Sequence, residues 1–319
     1  MNNCNGTDSQ AYIDEWYSPR LGALYAVMGV TFQAVQIPCV IVMTDKDLWI
    51  NTCYKVMFIV GILDICTLSV NAVLPSIYMF IPLGIDCYPV AIQILSCWMC
   101  QLFWNAYCFM AVVLIINRCV FMASPSKWHG RLFANGRVWV WAAAALAYGG
   151  MFVAIYASPY GTIQFHSGIG TYLWPSTDVI GSKFTTFDNT ATGFLIPIGY
   201  ILLALIIRRQ RLHESDSTMQ ATTAEKRLQL QAVLICAPTS IASLFYYFAP
   251  HMTSEVVVYQ GLHIVWIMSH GCSGLVYLTL NKTIRSKVLR LIGLSKLVNG
   301  AVIKRVLPLS IPPTSTANI

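Results

Sequence analysis

The sequence carries little charge for its length. Only 10% of its 319 residues are Asp, Glu, Lys or Arg, whereas soluble domains average about 25%. Hydrophobic residues make up 56% of the chain, and the mean hydropathy is +0.61. So few charged side chains could not cover the surface of a soluble globule. The composition therefore argues against a soluble enzyme and indicates a single domain embedded in a membrane.

Sequence motifs of common enzyme classes are also missing. The chain has no HExxH, GxSxG or GxxxxGK[ST] motif and no pair of CxxC motifs, which are typical of zinc proteases, serine hydrolases, P-loops and zinc sites. His263 and His270 share one helix face by their spacing, but no further metal ligands accompany them. We therefore predict no enzyme activity, no cofactor and no metal site.

Seven apolar runs are long enough to cross ~30 Å of hydrocarbon as helices. Helices are expected because lipid offers the backbone no hydrogen-bond partners. We predict an all-α membrane protein, a seven-transmembrane helix bundle with these spans: Leu21–Met43, Met57–Ile81, Ala91–Ile116, Val138–Ala157, Asn189–Ile207, Gln231–Pro250 and Val256–Leu280. Four prolines fall inside the runs and should each kink a helix: Pro38, Pro75, Pro197 and Pro238.

The remaining residues divide into tails and one short helix. Residues 1–20 are polar and lack the features of a cleavable signal peptide, so we predict an extracellular tail. The bundle occupies residues 21–280. In 281–299, apolar residues recur at helical spacing between basic ones, which predicts an amphipathic helix at the inner membrane interface. Residues 300–319 are predicted to be a disordered cytoplasmic tail.

The basic residues are distributed unevenly between the two sides of the predicted bundle. When the runs alternate in direction, one side receives only Arg20 and Lys183, and the other receives the remaining 18 of the 20 Lys and Arg residues. The positive-inside rule places the rich side in the cytoplasm, with the amino terminus outside. Topology and contact with membrane lipid explain the net charge of +7 without nucleic acid as a partner.

Two cysteines and one glycosylation sequon lie on the predicted outer side of the membrane. Of the 11 cysteines, only Cys4 and Cys87 fall clearly outside, and we hypothesise that they form a disulfide because that compartment is oxidising. Asn5 begins an Asn-Gly-Thr sequon on the same side and is a candidate glycosylation site.

A few polar side chains fall inside the predicted spans. Asp64 is the acidic residue of the second run, where a carboxylate costs roughly 3 kcal/mol or more unless it is paired or protonated. We predict a polar cluster of Asp64 with Ser269 and Ser273, which either switches on activation or is purely structural. Arg118 ends the third run, and is either a boundary residue that snorkels or an arginine that changes partners as helices move.

Aromatic side chains concentrate in the predicted outer halves of the spans. They form either an interfacial belt with ordinary packing or the lining of an apolar ligand pocket: Trp98, Phe103, Trp104, Tyr246, Tyr247 and Trp266. The third run has no Asp or Glu, which argues against a monoamine ligand. The seventh run has no Lys, which excludes a retinal Schiff base there.

Three short segments occur in a characteristic order. YKVMF and GILD lie within residues 54–64, LIINRC at 114–119, and YLTLNKTIR at 277–285. With the seven runs, they resemble the nematode serpentine chemoreceptors of class T, the Srt family of rhodopsin-like G-protein-coupled receptors, over about residues 17–293. The resemblance implies a receptor for a small-molecule or peptide ligand that signals to a heterotrimeric G protein. It also implies the plasma membrane, in particular the ciliary membrane of sensory neurons.

The resemblance also assigns roles to single residues. Asn117-Arg118-Cys119 stands where most such receptors have Asp-Arg-Tyr, so the usual acidic partner of the arginine is replaced. Tyr277 keeps the tyrosine of Asn-Pro-x-x-Tyr, and Pro238 keeps the proline of the sixth-helix motif. The resemblance implies that these residues form the switch for G-protein coupling. No cysteine lies between Ser158 and Asp188, so the usual disulfide to the third helix cannot form.

Two other classes of membrane protein remain open from the sequence. A ligand-gated seven-span cation channel predicts an amino terminus inside the cell. A transporter predicts inverted repeats and broken helices with ionisable residues near the midplane, for which Asp64 alone is weak support.

Overall fold

The computed structural model describes residues 18–80, 90–123, 127–134, 136–159, 161, 163–173, 180–211, 219–252 and 255–294. Cys4, Asn5 and Cys87 lie outside these residues, so the proposed disulfide and glycosylation site stay predictions. The same holds for nearly all of the predicted amino-terminal tail and for residues 300–319.

The described residues form eleven α-helices, one π-helix and one β-hairpin. The helices are α1 (Pro19–Met43), α2 (Lys46–Trp49), α3 (Thr52–Leu68), α4 (Leu74–Phe80), α5 (Val90–Ala123), α6 (Trp128–Phe133), α7 (Val138–Tyr156), α8 (Ile180–Arg211), α9 (Met219–Met252), α10 (Val256–Leu280) and α11 (Lys282–Leu291). The π-helix Ser69–Val73 joins α3 to α4. The antiparallel strands are β1 (Gln164–His166) and β2 (Thr171–Leu173).

Seven helices among the described residues are long and apolar enough to cross a membrane, which confirms the predicted fold class. The first span lies in α1, and the second runs from α3 through the π-helix into α4. Each later span lies in one helix: the third in α5, the fourth in α7, the fifth in α8, the sixth in α9 and the seventh in α10. The seventh span has the bounds that the sequence predicts.

The fifth span differs from its prediction. Its helix begins at Ile180 rather than at Asn189, so Asp188, which the sequence analysis assigned to a loop, lies inside the span. The polar run before Asn189 lowers local hydropathy and hides the start of the helix. Thr185, Asp188 and Asn189 are nevertheless buried inside the bundle. Polar side chains of a membrane helix usually face the bundle interior in this way.

Pro75 changes the second span through a π-helix rather than a simple kink. Proline has no N–H, so the carbonyl groups one turn before it lose a helical donor. Two of these carbonyls find partners elsewhere. Val70 O accepts from Tyr172 Oη at 2.7 Å, and Asn71 O lies 2.9 Å from His263 Nε2. The irregular backbone thereby connects the second span to the hairpin and to the seventh span.

The hairpin lies over one end of the bundle, which we call the hairpin end. Phe165 pairs with Tyr172 across the two strands, and Gly170 closes the turn with a φ of +77°. Tyr25 Oη in the first span donates to Gly170 O at 2.8 Å. A Cβ atom at Gly170 would lie 2.4 Å from Leu21 Cδ2, which could rotate away, so the backbone conformation is what requires glycine.

The opposite end of the bundle carries α11, and we call it the α11 end. Asn281 caps α11 by accepting from Thr283 N and Ile284 N, each at 3.1 Å. Lys287 lies 2.7 Å from Asp45, and this hydrogen bond raises the pKa of Lys287 and lowers that of Asp45. Because the pair is exposed, we expect it to add little to stability.

The third and fourth spans approach closely at Gly149, which allows a first prediction. A Cβ atom there would lie 2.4 Å from the backbone oxygen of Leu102. Since backbone atoms cannot rotate away, we expect Gly149→Ala to lower the free energy of unfolding by roughly 1–3 kcal/mol. Thermal unfolding of the purified full-length chain measures this. Gly150→Ala is the matched control, because a Cβ atom at Gly150 meets nothing within 4 Å; equal effects of both changes would contradict the prediction.

Candidate functional site

A buried polar cluster surrounds Asp64 in the second span. Asp64 Oδ2 accepts from Ser273 Oγ at 2.7 Å and from Gln36 Nε2 at 3.3 Å. Asp64 Oδ1 lies 2.9 Å from His270 Nδ1. All four side chains are fully buried. The cluster thus satisfies both carboxylate oxygens and links the first, second and seventh spans.

Small residues let these helices meet. A Cβ atom at Gly274 would lie 2.6 Å from Gln36 Oε1, and one at Gly61 would lie 2.6 Å from Val40 Cγ2. Glycine at helix contacts in membranes allows close approach of this kind. Gly274 therefore positions the seventh span so that Ser273 reaches Asp64.

The cluster differs from the predicted one in its membership. Asp64 and Ser273 do meet, whereas Ser269 Oγ donates to the carbonyl oxygen of Trp266 at 2.7 Å. The sequence analysis did not assign Gln36 and considered His270 only as a metal ligand. Two amide side chains in the apolar first run, Gln33 and Gln36, were the available signal. Among the described residues, no group of three or more His, Cys, Asp or Glu side chains could hold a metal ion.

Aromatic contacts extend the cluster toward the third and sixth spans. The His270 ring lies edge-on to Tyr107, with centroids 4.5 Å apart, and edge-on to Trp104 at 5.6 Å. Tyr107 Oη accepts from Thr239 Oγ1 at 3.1 Å. Because Thr239 follows Pro238, a chain of contacts runs from Asp64 to the proline of the sixth span.

A cavity lies between the third, fifth, sixth and seventh spans. Trp104 borders both this cavity and His270. Trp104 and Trp266 meet edge to face at 5.2 Å, and Tyr246 meets Trp266 at 5.5 Å. Six of the described residues line it: Gln101, Trp104, Thr185, Asn189, Tyr246 and Trp266.

Three of the six predicted pocket aromatics line this cavity, and three lie elsewhere. Trp98 Nε1 donates to Tyr156 O at 3.4 Å. Phe103 packs against the apolar core of the bundle, and Tyr247 stacks edge to face with Phe248. The polar lining residue Thr185 lies before the predicted start of the fifth span and was therefore not foreseen, and Asn189, at that start, was not assigned to the pocket.

The hairpin is joined to the spans that form the cavity. Thr171 Oγ1 lies 3.4 Å from Tyr246 Oη and 3.3 Å from His263 Nδ1. With the Tyr172 bond to the π-helix, these contacts connect the hairpin to the second, sixth and seventh spans. They hold it in place without a disulfide from the loop, which has no cysteine.

The Asn117-Arg118-Cys119 segment lies toward the α11 end of the third span. Arg118 is only 7% exposed, yet no hydrogen bond or ion pair reaches it from the described part of the chain. Cys119 Sγ lies 3.7 Å from Gly199 O in the fifth span. Tyr277 is fully buried, and its hydroxyl has no hydrogen-bond partner within the described ranges.

Comparison with known families decides the identity of the chain. A model for the family described as serpentine type 7TM GPCR chemoreceptor Srt matches residues 1–300. The chain belongs to the Srt family. This Srt chain is also similar in fold to squid rhodopsin in its crystal structure, with a TM-score of 0.69, 11% sequence identity and coverage of 97% of each chain. No curated protein sequence matches it. The family and the fold are those of multi-pass membrane receptors rather than enzymes.

In this Srt chain, a histidine contacts the residue that replaces the usual acid beside the arginine. Asn117 Nδ2 lies 3.2 Å from His129 Nε2, which also lies 3.0 Å from Thr52 Oγ1. His129 belongs to α6 and stacks on Phe133 at 5.5 Å. The contact joins the short loop helix to the second and third spans, and the sequence analysis did not assign it.

The His129 contact should depend on pH. Burial lowers the pKa of His129 below its ordinary 6.5, and the nearby Arg118 guanidinium lowers it further. The neutral ring is therefore the form that the fold favours. The stability that the neutral His129 ring contributes is fully present above its ordinary pKa of 6.5. It is lost as the pH falls from there through the lower pKa that His129 has in the folded protein.

We expect His129→Gln to reduce this pH dependence, because glutamine can bond to Asn117 but does not titrate. Unfolding temperatures of the two proteins at about pH 7.5 and about pH 5.5, which bracket the ordinary histidine pKa, measure the effect. The wild-type chain should lose more stability on acidification than the variant. An equal loss would show that His129 does not carry the dependence.

Proposed function

We propose that this Srt chain is a G-protein-coupled chemoreceptor that binds a small ligand in the cavity between the third, fifth, sixth and seventh spans. The observation that carries the proposal is the position of Trp104. Its ring lines the cavity on one side and contacts His270, the partner of Asp64, on the other. A ligand that moves Trp104 therefore acts directly on the buried polar cluster.

The ligand drives the receptor by binding one helix arrangement more tightly than another. The chain of contacts through Tyr107 and Thr239 carries the change to the sixth span at Pro238. The sixth span hinges near this proline, and its end nearest α11 moves away from the bundle. Arg118 then gains access to a partner that it lacks among the described residues.

The G protein docks at the α11 end. The docking surface consists of Arg118, residues 119–137 and the basic segment 208–227, and it accepts a carboxyl-terminal helix of the G protein as a helix-in-groove contact. In this orientation the hairpin end and the amino terminus face the outside. The basic residues then lie in the cytoplasm, in agreement with the positive-inside rule.

The location follows from the same proposal. The receptor resides in the plasma membrane, in particular the ciliary membrane of sensory neurons, with Asn5 glycosylated and Cys4 bonded to Cys87 on the outside. On the inside, α11 lies along the membrane interface: Ile284 and Val288 pack on the core of the bundle, and basic side chains flank them.

Two measurements test the function. An epitope tag at residue 1 should stain on intact cells, and staining only after permeabilisation would instead support a seven-span channel. A chemical screen in cells that express the full chain with a promiscuous G protein should yield compounds that evoke second-messenger signals. Ligand-evoked current that persists without any G protein would contradict the proposal.

A further inference from the structure

The polar groups that line the cavity indicate the chemical class of its ligand. None of the six lining residues carries a formal charge. The nearest residue in sequence that does, Asp188, does not line the cavity. Its Oδ1 accepts from Tyr148 Oη in the fourth span at 2.7 Å. A charged ligand would therefore lose its hydration in the cavity without gaining an opposite charge there.

Several of the lining polar groups already have partners. Thr185 Oγ1 lies 2.6 Å from Tyr156 Oη, and Tyr246 Oη lies 3.4 Å from Thr171 Oγ1. Gln101 Oε1 accepts from Asn105 Nδ2 at 3.3 Å. These bonds hold the lining in place and leave those atoms little capacity to recognise a ligand.

Two lining groups are buried and lack partners among the described residues. Trp266 Nε1, a donor, and Asn189 Oδ1, an acceptor, find no hydrogen-bond partner in the described part of the chain. Each side chain is only 5% exposed. A buried polar atom without a partner costs free energy, and almost all such atoms in folded proteins are paired. An unpaired donor and an unpaired acceptor at one cavity are therefore what a ligand would satisfy.

We infer that the cavity binds a small uncharged molecule that offers an acceptor to Trp266 Nε1 and a donor to Asn189 Oδ1, with its apolar body between Trp104, Tyr246 and Trp266. This inference rests on the proposed function and specifies its ligand. The ligand class is thus small neutral compounds that carry both a donor and an acceptor, such as amides and hydroxyketones.

The test uses four single-ring compounds that differ in one substituent. Benzamide is uncharged and carries both an acceptor and donors, benzoate is an anion, benzylamine is a cation at neutral pH, and toluene has no hydrogen-bonding group. Binding to the purified full-length chain in detergent is measured by the rise of the unfolding temperature with compound concentration. This readout needs no G protein, so failure of coupling would leave it intact.

Two variants test the proposed contacts. Trp266→Phe removes the indole N–H and keeps a ring, and Asn189→Leu removes the acceptor at similar volume. We expect each change to weaken benzamide binding by about tenfold, the effect of losing one well-formed hydrogen bond. Trp98→Phe is the matched control, because Trp98 Nε1 bonds to Tyr156 O away from the cavity; it should leave the affinity unchanged.

The inference is supported if benzamide binds more tightly than the other three compounds and both cavity variants weaken it. It is overturned if benzoate or benzylamine binds as tightly as benzamide, if benzamide binds both variants unchanged, or if none of the four compounds binds. A charged compound that binds in the cavity and evokes G-protein signalling would overturn the ligand class and still support the receptor function.

Discussion

Replacing His270 by leucine is expected to lower the free energy of unfolding by about 3–5 kcal/mol, because it removes one partner of a buried ion pair or hydrogen-bonded pair. Leucine keeps most of the volume but cannot bond to Asp64 Oδ1, which lies 2.9 Å from His270 Nδ1. The carboxyl group of Asp64 would then remain in a fully buried site with only Ser273 and Gln36. Thermal unfolding of the purified full-length chain measures the loss.

A double variant distinguishes charge from packing. Adding Asp64→Asn to His270→Leu removes the ionisable group, so we expect it to recover most of the lost stability. Ser269→Ala is the matched control, one residue earlier in the seventh span. The Ser269 hydroxyl donates to a carbonyl oxygen of its own helix at 2.7 Å, and its loss should cost less than about 1 kcal/mol. If the double variant is no more stable than His270→Leu, the pairing with Asp64 is not the cause.

The same cluster should also govern activation. His270 contacts Trp104 at the cavity and Tyr107 toward the sixth span, so its loss separates ligand binding from the movement at Pro238. A His270→Leu receptor that reaches the cell surface should bind ligand and yet respond weakly. The stability measurement and the signalling measurement thus report on one set of contacts.

Replacing Arg118 by alanine is expected to abolish ligand-evoked signalling while leaving surface expression intact. Arg118 is buried, but the described residues offer it no hydrogen bond or ion pair. Burial of an unpaired charge costs free energy, so its removal should not destabilise this arrangement of the helices. We infer that the guanidinium contributes only in the active arrangement, where it meets the G protein or a carbonyl group of another span.

Surface staining and second-messenger assays of the same cells measure the two effects. Arg118→Lys keeps the charge but loses the planar fork of donors, so a partial response is expected. Arg20→Ala, a change at an exposed arginine of the hairpin end, is the matched control and should leave signalling unchanged. Full signalling by Arg118→Ala would remove this residue from the mechanism.

The sequence predicted the class of fold because hydropathy is a local property. Each run of about 20 apolar residues must cross the membrane as a helix whatever its neighbours do, and the structure confirms seven such spans among the described residues. The same reasoning failed at the fifth span, where Thr185, Asp188 and Asn189 lower the hydropathy of a helix that nevertheless begins at Ile180. Their burial against other helices is a property of the assembled bundle.

The candidate site depended on contacts between residues far apart in the sequence. The sequence could single out Asp64, because a carboxylate in a span needs a partner, but it could not name His270 and Gln36. Which side chain pairs with Asp64 depends on the rotation of each helix about its own axis. It also depends on the glycines that set the distance between neighbouring helices. For the same reason, the pattern of aromatic residues did not separate Trp104 and Trp266, which line the cavity, from Trp98, which does not.

The sequence by itself thus determined a seven-span membrane protein, the uneven distribution of its basic residues and the residues whose burial needs an explanation. Only the tertiary structure decided that Asp64 pairs with His270 and that Pro75 produces a π-helix bonded to the hairpin. It alone also shows that, within the described ranges, a donor and an acceptor of two cavity-lining residues remain unpaired. The physical reason is that membrane insertion depends on the chemistry of each segment alone. Pairing, in contrast, depends on which side chains the packed helices bring within about 3 Å of each other.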